Sequence, residues 1–239
     1  MPRPTEPKDP TFQAYERYRE VIPEFESFLA ALERPIPAHI RVNTLKTTPE
    51  ALRRRLEKLG ARIVEEPLNP LVWRVYGLDT VGRQVEYHLG LYHPQGLTST
   101  FPVLELDPQD GELVLDMCAS PGGKTSQMAA QMQNGGHIVA NDVTVERVGL
   151  LKSNLERLGV LNTSTRVGPA QAIPKHFQFD RVLRDAPCSG LGAWRRGLPP
   201  PLGRFPNQVE RLSRIQQQLI LRGFDLLKPG GVMVYSTCT

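Results

Sequence analysis

Two cysteines stand where predicted strands end. Cys188 lies in Asp185-Ala186-Pro187-Cys188-Ser189-Gly190 and Cys238 in Tyr235-Ser236-Thr237-Cys238, each after an apolar run that reads as a strand. Open α/β sheets hold their ligands at the carboxyl ends of strands, so both thiols are expected at one crevice although fifty residues separate them. The chemistry open to such a pair is covalent. A thiolate that adds to carbon 6 of cytosine turns carbon 5 into a nucleophile able to take an electrophilic methyl group. The adduct then needs a hydrogen-bonding acid near N3 and a base that removes the carbon 5 proton, so that the thiolate can leave. Asp185, Cys188 and Cys238 are the right chemical types for those tasks. Taken singly, an unpaired cysteine is more often a small buried hydrophobe, and as a catalyst Cys118 is left in that class.

A second motif, Cys118-Ala119-Ser120-Pro121-Gly122-Gly123-Lys124-Thr125, falls between a predicted strand and its helix. Small residues there let the backbone approach a ligand, and the amides of the helix start face an anionic group, which makes a nucleotide-type cradle. It is not a P-loop, which needs glycine where Cys118 stands, and it lacks the Gly-x-Gly-x-x-Gly pattern. Asn141-Asp142 follows the next strand, where doubly wound folds set an acid against ribose hydroxyls. Alone, Asp142 reads as a cap for the helix beginning near Val145; beside the glycine turn it favours a nucleoside cofactor.

The elements that must position these groups are legible from periodicity. From Leu113 onward, strands are predicted over 113–117, 137–140, 163–167, 180–183 and 232–236, with helices over 124–132 and 145–158. Val209, Leu212, Ile215, Leu219 and Leu226 mark the buried face of a further long helix, and Lys228-Pro229-Gly230-Gly231 turns it into the last strand. Repeated βα units imply a doubly wound, mostly parallel sheet, an α/β fold of Rossmann-like type. Upstream, strands over 40–43, 62–65 and 72–76 and a helix over 49–59, opening after Thr48 and closing at Gly60, make a small α+β lobe. A helix is predicted over 12–32, ended by Pro35 and Pro37. The division is therefore a tail and helix over 1–35, the lobe over 36–92 and a catalytic-type domain over 93–239.

Composition narrows the class. The 239 residues are 40% hydrophobic and 23% charged, as a globular chain with a sizeable core would be. The 29 Lys+Arg against 25 Asp+Glu leave a formal charge of +4, which permits a polyanionic partner without demanding one. Three widely spaced cysteines build neither a disulfide framework nor a paired Cys-x-x-Cys zinc site, so no metal is expected and a reducing compartment is the simpler reading. The amino terminus lacks the apolar core of a signal peptide, and no stretch approaches the roughly 18 to 20 apolar residues needed to span a bilayer. A cytoplasmic protein without membrane contact is expected.

The run 115–125, Asn141-Asp142, Asp185 to Gly190 and Val234 to Thr239 together resemble the RNA 5-methylcytosine methyltransferases of the Nop2/Sun (RsmB/RsmF) family. The resemblance extends upstream: Arg41-Val42-Asn43-Thr44-Leu45-Lys46 looks like that family's small lobe and Gln95-Gly96-Leu97-Thr98-Ser99 like its lead-in to the catalytic domain. It implies S-adenosylmethionine as methyl donor, held by Cys118, Ala119, Ser120, Pro121, Gly122, Gly123 and Lys124, with Asp142 on the ribose and Asp185 near the methyl-transfer centre. It implies that Cys238 attacks cytosine and that Cys188 assists product release. It also implies RNA, ribosomal or transfer, as substrate.

Arg195, Arg196 and Arg204, followed by Arg211 and Arg214 and interleaved with Trp194 and Phe205, are candidates to bind phosphates while an aromatic ring stacks a base. Two departures from the family pattern stand out. Arg166 to Gln171 offers no acid after the third strand to meet the adenine, and the further strand that completes the family's sheet is expected to be missing after Thr239, to be supplied by a second chain or another segment. They motivate an alternative, a catalytically impaired RNA-binding or assembly protein that keeps the fold. A weaker third reading is methylation of an exocyclic amine, which needs no thiol.

Overall fold

The computed structural model describes residues 15–34, 36–190 and 208–238. The chain divides into a larger unit, Pro37–Ala186 with Gln216–Ser236, and a smaller one made of the segments before, between and after these. In the smaller unit, helix α1 (Phe25–Leu32) presents Phe25 to a cluster with Tyr15, around which Phe28, Leu29 and Leu32 pack. The predicted apolar face is therefore present, but the helix starts at Phe25 rather than near residue 12. Residues 15–16 are helical and 17–24 run through turns: Pro23 has no N–H to give a helix and Glu24 sits in the left-handed region at φ 52°, which separates them from α1. Residues 12–14 and Pro35 lie outside the described residues.

The larger unit contains two sheets. The first has the order β2-β3-β1-β4 and is antiparallel, built from β1 (Ala38–Val42), β2 (Arg62–Glu66), β3 (Asn69–Tyr76) and β4 (Tyr92–Pro94). Helix α2 (Pro49–Lys58) covers it. Thr48 caps that helix by accepting from the Ala51 N–H at 3.3 Å, Pro49 needs no such partner, and Leu52 and Leu56 pack on Ile40, Val42, Trp73 and Tyr92. Strand β4 is not legible in the sequence. It is three residues long, ends on a proline and lies across the 92/93 boundary read from the sequence. Helix α3 (Val85–His88) precedes it and helix α4 (Phe101–Leu106) follows.

The second sheet is parallel throughout, in the order β7-β6-β5-β8-β9, with β5 (Leu113–Asp116), β6 (His137–Asp142), β7 (Thr163–Val167), β8 (Phe179–Asp185) and β9 (Leu227–Ser236). Its helices are α5 (Gly123–Gln131), α6 (Val145–Leu158) and α7 (Gln208–Asp225). Val114, Leu115, Ile138, Val182 and Leu183 are fully buried, as apolar strands covered on both faces must be. Helix α7 closes on the sheet at Gly223, where an added Cβ would stand 2.7 Å from the Met233 sulfur. Strand β9 starts five residues before the predicted one. Leu227 already pairs with Phe179, and an irregularity between Phe179 and Arg181 takes up Pro229, Gly230 and Gly231 within the strand. β9 is an edge of this sheet among the described residues.

The two sheets are tied at the end of α6. Asn43 donates from Nδ2 to the carbonyls of Gly90 (2.8 Å) and Leu158 (2.7 Å), and Lys46 donates to those of Leu89 and Arg157. Gly90 is required for this approach: its φ is +74°, and a Cβ there would lie 1.9 Å from the Arg157 carbonyl oxygen.

Candidate cofactor cradle and thiol pair

At the end of β5 the chain turns through residues 117–122 into α5, and the end of β6 holds that turn in place. The Ala119 N–H donates to the Asn141 carbonyl at 2.8 Å, Asn141 Nδ2 to the Met117 carbonyl at 3.1 Å, and the Ser120 N–H to Asp142 Oδ2 at 2.9 Å. Gly122 enters the helix at φ +105°, where a side chain would also press on Leu151.

A cavity of about 230 Å³ opens over the turn, lined by Cys118, Ala119, Ser120, Pro121, Gly123 and Lys124. Asp116 and Asp185, at the ends of β5 and β8, form its acidic wall, and His93, Gln95 and Ser99 close the side reached through β4. The residues fit a ligand of mixed charge: the helix start and Lys124 suit a carboxylate, and the two acids suit a cationic centre.

Each charged group here has an identifiable environment. Lys124 Nζ donates to Asp185 Oδ2 at 2.7 Å, and Ser236 Oγ donates to Asp185 Oδ1 at 2.8 Å. The Thr125 hydroxyl donates to Asp116 Oδ2 at 2.8 Å; burial nevertheless pushes the Asp116 carboxyl up to about 7, with Thr125 and Lys124 pulling the other way. Burial, reinforced by Asp116 and Asp142, pushes the Cys118 thiol up to about 12, so it stays protonated and serves the turn rather than attack.

Asp142 and Gly122 are not among the lining residues. The Asp142 carboxylate is buried and receives four donors: the Ser120 N–H, the Val143 N–H at 2.8 Å, and Arg147 through Nε (2.6 Å) and Nη2 (3.1 Å). It braces the turn. It does not cap α6 either, since Thr144 accepts from the Arg147 N–H in that role.

The thiols meet each other. Asp185 and Ser236 are register partners in β8 and β9, the Ala186 N–H donates to the Ser236 carbonyl at 2.8 Å, and the chain leaving each strand reaches a cysteine within three residues. Cys188 and Cys238 come together, with their Cα atoms 6.3 Å apart.

Four cavity or support residues escape sequence reasoning. Asp116 lies in the run 115–125 with no role implied for it, although an acid ending the apolar run Leu113-Val114-Leu115 is a usable signal. Arg41 and Gln95 open two motifs of the resemblance that imply no role for them, and His93 carries no signal, because it reaches the cradle on the short β4. Arg195, Arg196 and Arg204, with Trp194 and Phe205, lie outside the described residues. Among the described residues no helix is long and apolar enough to cross a membrane.

A five-stranded parallel sheet with a glycine turn after its central strand and acids at neighbouring strand ends defines a Rossmann-like methyltransferase fold. Residues 103–239 match the family described as 16S rRNA methyltransferase RsmB/F, and the chain belongs to that family. It is 40% identical over 233 residues to the tRNA (cytosine(49)-C(5))-methyltransferase of Pyrococcus abyssi, covering 94% of this chain and 72% of the relative. It is 39% identical to ribosomal RNA small subunit methyltransferase F of Pectobacterium carotovorum and 40% identical to the human 28S rRNA (cytosine(4447)-C(5))-methyltransferase. Those alignments cover 92% and 90% of this chain but 48% and 28% of the relatives, so the chain spans half or less of these longer proteins. The crystal structure of a methyltransferase homologue from Pyrococcus horikoshii superposes with a TM-score of 0.77 at 37% identity, over 87% of this chain and 67% of that one.

Proposed function

We propose that this chain transfers a methyl group from S-adenosylmethionine to carbon 5 of a cytosine in ribosomal or transfer RNA, through a covalent bond between Cys238 and carbon 6 of the ring. The observation that carries the proposal is the pairing of Cys188 with Cys238 beyond the Asp185–Ser236 strand pair, because it brings together the two thiols that this chemistry needs. The cofactor, when bound, supplies the electrophilic methyl group. Lys124 and the start of α5 hold its carboxylate end, Asp116 and Asp185 offset its positive charge, and Cys118 to Pro121 wall the cavity. Asp142 contributes to the ribose side by fixing the Ser120 backbone, and its direct use by ribose hydroxyls requires Arg147 to yield.

The steps on the base follow from the residue types. The Cys238 thiolate adds to carbon 6, and Asp185, protonated for this step, donates a hydrogen bond to N3 as negative charge develops there. Carbon 5 takes the methyl group and loses its proton to a base, the carbon 5–carbon 6 double bond re-forms, and the Cys238 sulfur leaves as thiolate. Cys188 assists this release. Arg195, Arg196 and Arg204 bind the RNA backbone while the target base is unstacked, which explains the placing of an arginine-rich run just after the Cys188 motif. The names of the relatives support both tRNA and rRNA as substrate classes.

One observation favours a second reading, an RNA-binding or assembly protein that keeps the fold without turnover: Arg166 to Gln171, after the third strand, offers no acid to meet the adenine. Trapping on RNA containing 5-azacytidine, with reductant present, decides between them. A covalent protein–RNA adduct that Cys238→Ser abolishes and Cys188→Ser retains supports methyl transfer. No adduct from the reduced protein supports the second reading.

A further inference from the structure

His93 projects a hydrogen-bond donor into the cradle that neither the motifs nor the reaction scheme uses. Its side chain enters from β4, the residue is 8% exposed, and it lines the cavity. Arg157 Nη2 lies 3.1 Å from His93 Nδ1. A guanidinium only donates, so Nδ1 is the accepting nitrogen and the ring proton sits on Nε2. Burial, with Arg41 and Arg157 nearby, holds the ring neutral by pushing its pKa down to about 3. No partner for Nε2 is found among the described residues, and the atom points toward the first turn of α5, where a Cβ on Gly123 would stand 3.3 Å from it.

Two guanidiniums border His93 at this corner. Arg41 is buried and bonds to Gln95 Oε1 (2.8 Å), Ser126 Oγ (2.9 Å) and the Gly123 carbonyl (3.4 Å), all neutral. Arg157 bonds to the carbonyls of Tyr87 and Tyr92, to Asn154 and to His93, again all neutral. Neither guanidinium has a carboxylate partner among the described residues. Lys124 spends one N–H on Asp185. A corner with an unpartnered N–H, the start of a helix and uncompensated cations is complementary to an anion.

We infer that His93 is a cofactor-positioning residue: its Nε2–H, Lys124 and the first amides of α5 together grip the carboxylate of the cofactor's amino-acid moiety. This rests on the assignment of the cavity to S-adenosylmethionine and adds the end of that molecule which the lobe strand recognises. Arg157 takes part by fixing the imidazole tautomer, and Arg41 by supplying field from beneath the helix start.

The test is calorimetric binding of two nucleosides to the full chain, S-adenosylhomocysteine, which carries the amino-acid group, and methylthioadenosine, which lacks it. His93→Phe is expected to weaken S-adenosylhomocysteine about tenfold and to leave methylthioadenosine unchanged, and His93→Gln, which restores an N–H, to recover part of the loss. Equal weakening of both nucleosides, or of neither, overturns the role given to His93. Failure of the unsubstituted chain to bind either nucleoside overturns the cofactor assignment itself and the inference with it, an outcome distinguishable from failure of His93 alone.

Discussion

Cys188 and Cys238 lie side by side with Cα atoms 6.3 Å apart, across fifty residues of sequence, close enough to be oxidised to a disulfide. A thiol locked in a disulfide neither adds to a base nor assists release, so the proposed reaction requires reduced protein. Methyl transfer is expected to be absent after mild oxidation and restored by a dithiol. Counting titratable thiols before and after treatment checks this, with two fewer expected in the oxidised form; oxidised protein that turns over at the full rate would contradict the scheme.

Asp185 stands between Lys124 and Ser236 and is about one third exposed. Asp185→Asn keeps the size of the side chain but removes its charge and its acid. Single-turnover methyl transfer is expected to fall by about 100-fold or more, while the unfolding midpoint shifts little, because a partly exposed pair contributes about 1 kcal/mol or less. A variant that loses stability and activity together would make Asp185 a structural residue.

Asp116 gives a pH signature. Its folded-state pKa of about 7 lies above its ordinary 3.8, so the folded chain binds more protons than the unfolded chain between those values. Stability contributed at low pH is therefore lost as pH rises through that window. Asp116→Asn still accepts from Thr125 and has no carboxylate to ionise. Relative to the parent, it is expected to gain on the order of 1–3 kcal/mol between pH 4 and pH 8. Urea midpoints at the two pH values measure the difference, and parallel curves would count against a raised Asp116.

Asn43 spends both N–H bonds of its side chain on buried carbonyls, those of Gly90 and Leu158. Asn43→Ala leaves both acceptors without a partner and is expected to cost about 2–3 kcal/mol. Because the lobe brings His93 and Gln95 to the cradle, nucleoside affinity should fall with it, as read by calorimetry.

Arg184 is fully buried beside the Tyr235 ring, 4.2 Å from its centroid, and none of its guanidinium nitrogens has a hydrogen-bond partner among the described residues. Burial accordingly lowers its pKa. Arg184→Leu exchanges an unpaired buried charge for an apolar group on the face that also carries Val182, and is expected to stabilise the chain by about 1–3 kcal/mol. Thermal unfolding decides the sign.

The sequence by itself determined the elements and the chemistry they could carry. Periodicity placed the helix at 145–158 and the strand at 163–167 where the structure has them, and put the glycine turn between strand and helix, because burial of alternating or helical apolar faces is a local property of the chain. The types of Asp185, Cys188 and Cys238 named a reaction. Tertiary structure alone decided which of these groups meet. The order β7-β6-β5-β8-β9 sets the ends of β8 and β9 side by side and so makes neighbours of the two cysteines, which the sequence placed only at the same edge of the sheet. It turned Asp142 toward Arg147 and the Ser120 N–H, and carried His93 to the start of α5 on a strand too short to show any period. Apart from Asp142 and Arg147, these contacts join residues tens of positions apart. The energy that selects them comes from packing and hydrogen bonding between whole elements, which no local pattern records.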